Sequence, residues 1–353
     1  MVGGIEFHPL FHTNFYALIK KGGTTLDHWP WIRQLAGEYL EVLEKIAIRW
    51  PNQHVRVLHH TLSWEHASAL TLALKLRGAT FPNQLHLCLL MYSPGVDQCG
   101  DTVDGARRLR FTQAFRFLSR LSNVRLFAAC SEYADAYRHL LELPRALPLH
   151  PCFLVEGQVQ GAVPAPATLC VHDKSRSCRS ILYMGAIKKD KGFFRLPNLL
   201  GKVLKKASRF DELIVQFVRP QQTGLKAEQV TVIERLQAIA RTDARIRIHD
   251  GFWDENTLTQ QLEQSDRLFL DYDPEAYRHK TSGLLWLGAW HELQLVLPRG
   301  SWLEREAIRL GADWVSIDDE SGTPRPAAKD VAFDPVYRDA LFQPFLHWVR
   351  RQE

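Results

Sequence analysis

Short apolar runs alternate with amphipathic stretches along nearly the whole chain, a pattern that predicts a parallel sheet covered by helices. In the first half, VRVLHH (55–60) precedes the helical EHASALTLALKLRG, LHLCLLMY (85–92) precedes RRLRFTQAFRFLSRL (107–121), and VRLFAAC (124–130) precedes YADAYRHLLEL. Ahead of these three strand–helix units there is only a Gly3-Gly4 pair and one weak strand, FYALI. Between about 144 and 177 the alternation lapses into a stretch rich in proline, glycine and small residues, which reads as a linker. It then restarts with SILYMGAI (180–187), ELIVQFV (212–218), RIRIHDG (245–251), RLFLDY (267–272) and LQLVLP (293–298), each followed by a helical stretch.

A chain of 353 residues is too long for one ordinary core and suits two domains. The pattern therefore predicts an α/β protein of two Rossmann-like, doubly wound domains facing across a cleft. The N-terminal domain is expected over 1–155, a linker over 156–178 and the C-terminal domain over 179–335. A last helix is expected over 336–353, kinked at Pro344, with Leu341, Phe342, Phe345, Leu346 and Trp348 too apolar to leave in water. Open α/β sheets bind ligands outside the carboxyl ends of their strands, so strand ends are where function is expected.

Composition narrows the partners. The chain is 46% hydrophobic and 24% charged, as soluble globular proteins are, and its net charge of +5 is small with lysines and arginines scattered. No nucleic-acid partner is expected from such a surface. The six cysteines, Cys88, Cys99, Cys130, Cys152, Cys170 and Cys178, show no C-x-x-C spacing and read as reduced, packed thiols. With no signal-peptide pattern and no apolar run of membrane-spanning length, the expected location is the cytoplasm.

Two strand ends carry candidate chemistry. In MGAIKKDKGFF (184–194), Gly185 can supply a tight turn, Lys188 and Lys189 add charge, and Lys191-Gly192 sits at a helix start, a combination that suits an anion. A turn glycine with solvated lysines is the plainer reading. Ser282-Gly283 opens an almost wholly apolar helix, where a serine hydroxyl can cap and the glycine lets a ligand approach backbone N–H groups. The plainer reading there is a serine N-cap on a core helix. Both starts lie in one domain, after its first and fourth predicted strands, so one ligand with two phosphates can span them.

At these residues the chain resembles a family. GAIKKDKG is similar to the G-R-x-x-x-x-K-G loop of retaining GT-B glycosyltransferases of the group 1 type. IRIHDGFWDENTLTQQLEQSDRLFLDYDP resembles that family's strand, glycine turn, helix and "aD…v.PS" passage, and YRHKTSGLLWLGAWHELQLVLPRGSW resembles its Y-x-x-x-x-S-G sub-pattern, beginning here at Tyr277. The resemblance implies a nucleotide-diphosphate sugar held mainly by the C-terminal domain, an acceptor (a glycan or lipid-linked molecule) held by the N-terminal domain, and transfer with retention. It implies donor contacts from Gly185, Lys188, Lys191, Gly192, Tyr277, His279, Ser282 and Gly283, and a catalytic or sugar-facing histidine at His59 or His60. It also implies a last helix that packs back on the N-terminal domain, and neither metal nor cofactor.

The chain departs from that pattern at three places. Ala186 stands where the family has arginine, and His279 and Leu287 stand where it has two glutamates, the second of which holds the ribose hydroxyls. A leucine accepts no hydrogen bond from a diol. The N-terminal strand–helix unit also looks shortened. The sequence thus carries two functional readings: a glycosyltransferase of cell-surface polysaccharide or glycolipid synthesis with a rebuilt donor site, and a catalytically silent protein of the same architecture that binds a sugar or a partner.

Other patterns are read as structural. Asp271-Tyr272-Asp273 spells D-x-D, which elsewhere holds a metal, but ends a strand before proline and is read as a polar strand end. His54, His59, His60 and His66 fit no zinc spacing. The helix ARRLRFTQAFRFLSRL has an apolar stripe of Phe111, Ala114, Phe115 and Leu118 with arginines elsewhere. It is read as packing on its sheet, with contact to an anionic membrane surface as the functional alternative.

Overall fold

The computed structural model describes residues 25–51, 55, 57–59, 61–77, 93–150, 180–205, 212–220, 224–318, 343–344 and 347. By its contacts the chain divides into two compact units, residues 1–151 with 341–353, and residues 152–340.

The second unit is built on six parallel strands: β1 (Ser180–Ala186), β2 (Glu212–Val218), β3 (Ile246–Asp250), β4 (Arg267–Phe269), β5 (Gln294–Leu297) and β6 (Trp314–Ser316). Their order in the sheet is β3-β2-β1-β4-β5-β6. This is the doubly wound Rossmann order, and the direction of winding reverses between β1 and β4, leaving a crevice beyond their carboxyl ends. The five strands read from apolar runs are all present; the sixth, only three residues long, carries no such run.

Parallel strands are covered on both faces, which is why β2 buries five consecutive residues, Leu213 to Phe217. On one face Tyr183, Phe193, Val215, Phe217, Leu236 and Ile246 belong to one continuous apolar cluster. The helices of this unit are α5 (Leu196–Lys205), α6 (Ala227–Thr242), α7 (Glu255–Gln264), α8 (Gly283–Trp290) and α9 (Trp302–Leu310). Local signals set their ends: the Asp254 carboxylate accepts from the Thr257 N–H at the start of α7, and Gly311, at φ 64°, ends α9.

Helix α8 approaches the sheet closely because of Gly288, whose added Cβ would sit 2.6 Å from a Leu268 methyl and 2.7 Å from a Leu295 methyl. The sequence predicts a helix buried all round. Instead Leu285, Trp286, Gly288 and Ala289 are buried, while Leu284 and Leu287 are half-buried and Gly283 is exposed, because the first turn borders a cavity.

In the first unit the described residues form α1 (Thr25–Arg49), α2 (Trp64–Arg77), α3 (Gly105–Leu118) and α4 (Ser131–Leu141). The long α1 has no counterpart in the sequence reading; Trp31, Ile32, Leu35, Ala36, Tyr39 and Leu43 form its buried stripe. The stripe predicted on α3, Phe111 to Leu118, is buried. Of the predicted strand 124–130, only Ala128 is paired, in a parallel bridge to Leu149. Cys130 is buried, but Cys99, predicted to be packed, is exposed in a turn where its N–H donates to the Asp97 carboxylate. The predicted strands FYALI and 85–92 lie outside the described residues, as does the linker and nearly all of 336–353.

Candidate functional site

Beyond the carboxyl end of β1 the chain makes two short 3-10 turns, Lys189–Lys191 and Phe193–Arg195, joined by Gly192 in the left-handed region at φ 77°. Beyond the neighbouring β4 runs Leu270-Asp271-Tyr272-Asp273. The two segments are pressed together at the winding reversal. A Cβ on Gly192 would lie 2.0 Å from the Asp271 carbonyl oxygen, so only glycine fits.

Several bonds fix this junction. The Arg195 guanidinium donates to both carboxylate oxygens of Asp271, at 2.9 and 3.0 Å, and to its carbonyl at 2.6 Å. The Asp273 N–H donates to the Asp190 carbonyl at 2.9 Å, and the Tyr183 hydroxyl donates to the Lys191 carbonyl at 3.1 Å. Lys280 donates to the Asp190 carboxylate at 2.7 Å. Burial holds the Asp271 carboxyl above the usual carboxylate range, although the Arg195 bonds pull it down. Both carboxylates of the D-x-D are thus engaged within the protein: Asp271 is held by the Arg195 side chain, and Asp273 Oδ1 accepts from the Ala276 N–H.

Lys191 projects from this junction into a cavity of about 340 Å³, lined also by Thr281, Ser282, Gly283, Leu284 and Leu287. Its ammonium lies 5.3 Å from the centroid of the Tyr272 ring. Burial lowers the lysine pKa, and the positive charges of Lys188 and Lys280 lower it further while Asp190 opposes them. An anion in the cavity would relieve that cost.

Opposite Lys191 stands the N-terminus of α8. Ser282 is the N-cap residue, with extended φ and ψ of −140° and 121°, yet its hydroxyl caps nothing. It lies instead 3.3 Å from the Tyr272 hydroxyl. Among the described residues no acceptor takes the N–H of Gly283 or Leu284; the first intrahelical donor is Leu285, to the Ser282 carbonyl at 3.2 Å. The cavity therefore presents one half-buried ammonium and two unused N–H groups at the positive end of a helix dipole.

Of the residues read from the sequence, Lys191, Ser282 and Gly283 meet in this cavity. Gly185 and Gly192 shape the loop behind it: an added Cβ on Gly185 would lie 3.7 Å from the Lys191 side chain. Lys188 is exposed on the same loop. Tyr277 and His279 do not line the cavity. The Tyr277 ring is buried against Tyr272, with centroids 4.4 Å apart, and its carbonyl accepts from the Trp302 N–H. In the first unit, His59 Nε2 is 2.7 Å from the Tyr39 hydroxyl, and its ring lies 5.4 Å from that of His66. His60 lies outside the described residues. Tyr272, Arg195 and Asp271 carry no local sequence signal as parts of the site, since only the fold brings them to it.

No protein-family model matches the chain, and no curated protein matches it in sequence. Solved structures do match it across most of its length. An apo structure of OtsA is similar with a TM-score of 0.48 at 14% identity, covering 96% of this chain and 81% of that one. An α,α-trehalose-phosphate synthase (UDP-forming) from Burkholderia xenovorans, in complex with glucose-6-phosphate, is similar with a TM-score of 0.47 at 12% identity, covering 89% and 74%. A glycosyltransferase from Rickettsia africae is similar with a TM-score of 0.45 at 15% identity, covering 89% and 72%. No helix among the described residues is long and apolar enough to cross a membrane.

Proposed function

We propose that the chain is a retaining glycosyltransferase whose second unit takes the diphosphate of a nucleotide sugar in the cavity between Lys191 and the start of α8. The sugar passes to a glycan or lipid-linked acceptor, in the synthesis of a cell-surface polysaccharide or glycolipid. The observation that carries this reading is the pairing of a half-buried ammonium with an uncapped helix N-terminus in one cavity at the winding reversal of a doubly wound sheet.

A diphosphate leaving group gains negative charge as its bond to the anomeric carbon breaks. Fixed donors stabilise that charge without reorganising, which is how Lys191 and the N–H groups of Gly283 and Leu284 would lower the barrier. In this reading Lys188 adds charge at the rim, Gly185 and Gly192 hold the loop, and Tyr277 and His279 support the segment leading into α8. The catalytic or sugar-facing residue of this reading is His59 or His60. Contact with an anionic membrane surface at the inner face of the cell, where lipid-linked acceptors reside, is electrostatic in this reading, through exposed Arg108 and Arg116 of α3, since the apolar stripe of that helix is buried.

A second reading rests on Leu287. It lines the cavity and can bond no ribose hydroxyl, so a protein that binds a sugar or partner without turnover is the alternative. Incubation with a panel of nucleotide-diphosphate sugars separates the two. Release of nucleoside diphosphate, reduced at least tenfold in Lys191→Ala, supports the enzyme; saturable binding with no release across the panel supports the silent binder.

A further inference from the structure

We infer that Tyr272 is a positioning residue that keeps the N-terminus of α8 uncapped and so open to an anion. The inference rests on the reading of the cavity as a diphosphate site, and explains why a serine in the N-cap position does not cap. Serine at that position ordinarily accepts a hydrogen bond from an N–H of the first turn. Here the hydroxyl of Ser282 is turned to Tyr272 Oη at 3.3 Å, within a residue only 6% exposed, and the Gly283 and Leu284 N–H groups are left for the cavity.

The geometry holds Tyr272 in this role. Its ring is fully buried, tilted at 53° against that of Tyr277 with centroids 4.4 Å apart, and its N–H donates to the Leu270 carbonyl. The preceding residue, Asp271, is clamped by Arg195. The phenol thus has a fixed place from which to reach Ser282. Burial pushes its pKa up to about 12, against the pull of the Ser282 hydrogen bond, so it remains a neutral hydroxyl able to donate. Whichever hydroxyl donates, a Ser282 side chain turned to Tyr272 is out of place to accept from the first-turn N–H groups. The ring face meanwhile lies under the Lys191 ammonium. One side chain therefore borders both halves of the site.

The competition gives the test its sign. Without the phenol oxygen, the Ser282 hydroxyl turns back to cap its own helix, and an anion must displace that bond. Tyr272→Phe is therefore expected to retain or raise the melting temperature while affinity for inorganic pyrophosphate, measured by calorimetry, falls roughly fivefold. In a Ser282→Ala background no hydroxyl remains to turn back, and Tyr272→Phe then leaves pyrophosphate affinity within about twofold. Loss of stability together with affinity in Tyr272→Phe, or the same fivefold loss in the Ser282→Ala background, assigns Tyr272 a merely structural role and overturns the inference. Wild-type protein that binds neither pyrophosphate nor any nucleoside diphosphate overturns the site reading and the inference with it; wild-type binding with an unaffected Tyr272→Phe overturns the inference alone.

Discussion

Gly192 and Asp271 touch: the Cα of one lies against the carbonyl of the other so closely that a Cβ would stand 2.0 Å from that oxygen. The contact joins the turn that carries Lys191 to the end of β4, and backbone cannot yield as a flexible side chain can. Gly192→Ala, which also meets the strain of φ 77°, is expected to lower stability by about 2 kcal/mol or more, with a fall of several degrees in melting temperature. A melt indistinguishable from wild type would contradict the contact.

Arg195 holds the other side of that junction. Removing it leaves the Asp271 carboxylate, itself buried, without its cation, so Arg195→Ala is expected to cost about 1 to 3 kcal/mol near neutral pH. The Asp271 pKa already stands above the usual carboxylate value, and loss of Arg195 raises it further. A group with a raised folded pKa holds its proton more firmly in the native state, so its contribution is present at low pH and lost as pH rises through that value. The stability deficit of Arg195→Ala should therefore shrink as pH falls toward the carboxylate range. A deficit that does not change with pH in thermal melts would mean that Asp271 is not the group responsible.

Lys191 gives opposite signs for binding and stability. Its pKa is lowered below the ordinary 10.5 by burial and neighbouring lysines. Between the lowered value and the ordinary one, the unfolded chain holds more of this proton, so the lysine's contribution to stability rises with pH across that window. Anion affinity falls across the same window as the charge is lost. Pyrophosphate titrations of wild type and Lys191→Ala at increasing alkaline pH should show the two affinities converging; a constant ratio would remove the ammonium from the site.

Leu287 lines the cavity on the turn after Gly283, where the resembled family has a glutamate for ribose. It is half-buried and borders the cavity, so a carboxylate placed there can reach solvent or ligand. Leu287→Glu is expected to strengthen nucleoside diphosphate binding relative to inorganic pyrophosphate by roughly tenfold, since only the nucleoside brings a diol. An unchanged ratio, or a collapse in melting temperature, would place Leu287 in a different environment.

The second unit was legible in the sequence because a parallel sheet buries both faces of its strands, which leaves short continuous apolar runs such as ELIVQFV. Helix α1 was not: its stripe from Trp31 to Leu43 is interrupted by charges and preceded by Pro30, and its burial is decided by packing. Strand β6, Trp314–Ser316, is too short to show a pattern. At the site, Lys191 and the α8 start were readable because glycine, lysine and serine mark helix ends locally. The partner of the Ser282 hydroxyl was not, since a serine in that position predicts a cap and only the folded position of Tyr272 diverts it. Nor does the sequence signal the Arg195–Asp271 clamp, whose members are separated by 76 positions.

Binding is the shortest route to the central claim. Calorimetric titration of the folded wild-type chain with uridine, guanosine, adenosine and thymidine diphosphates should give saturable one-site binding for at least one, weakened roughly tenfold or more in Lys191→Ala with the melting temperature nearly unchanged. A well-folded protein that binds none of them, or one whose affinity is the same with and without Lys191, would contradict the assignment of this cavity to a nucleotide diphosphate.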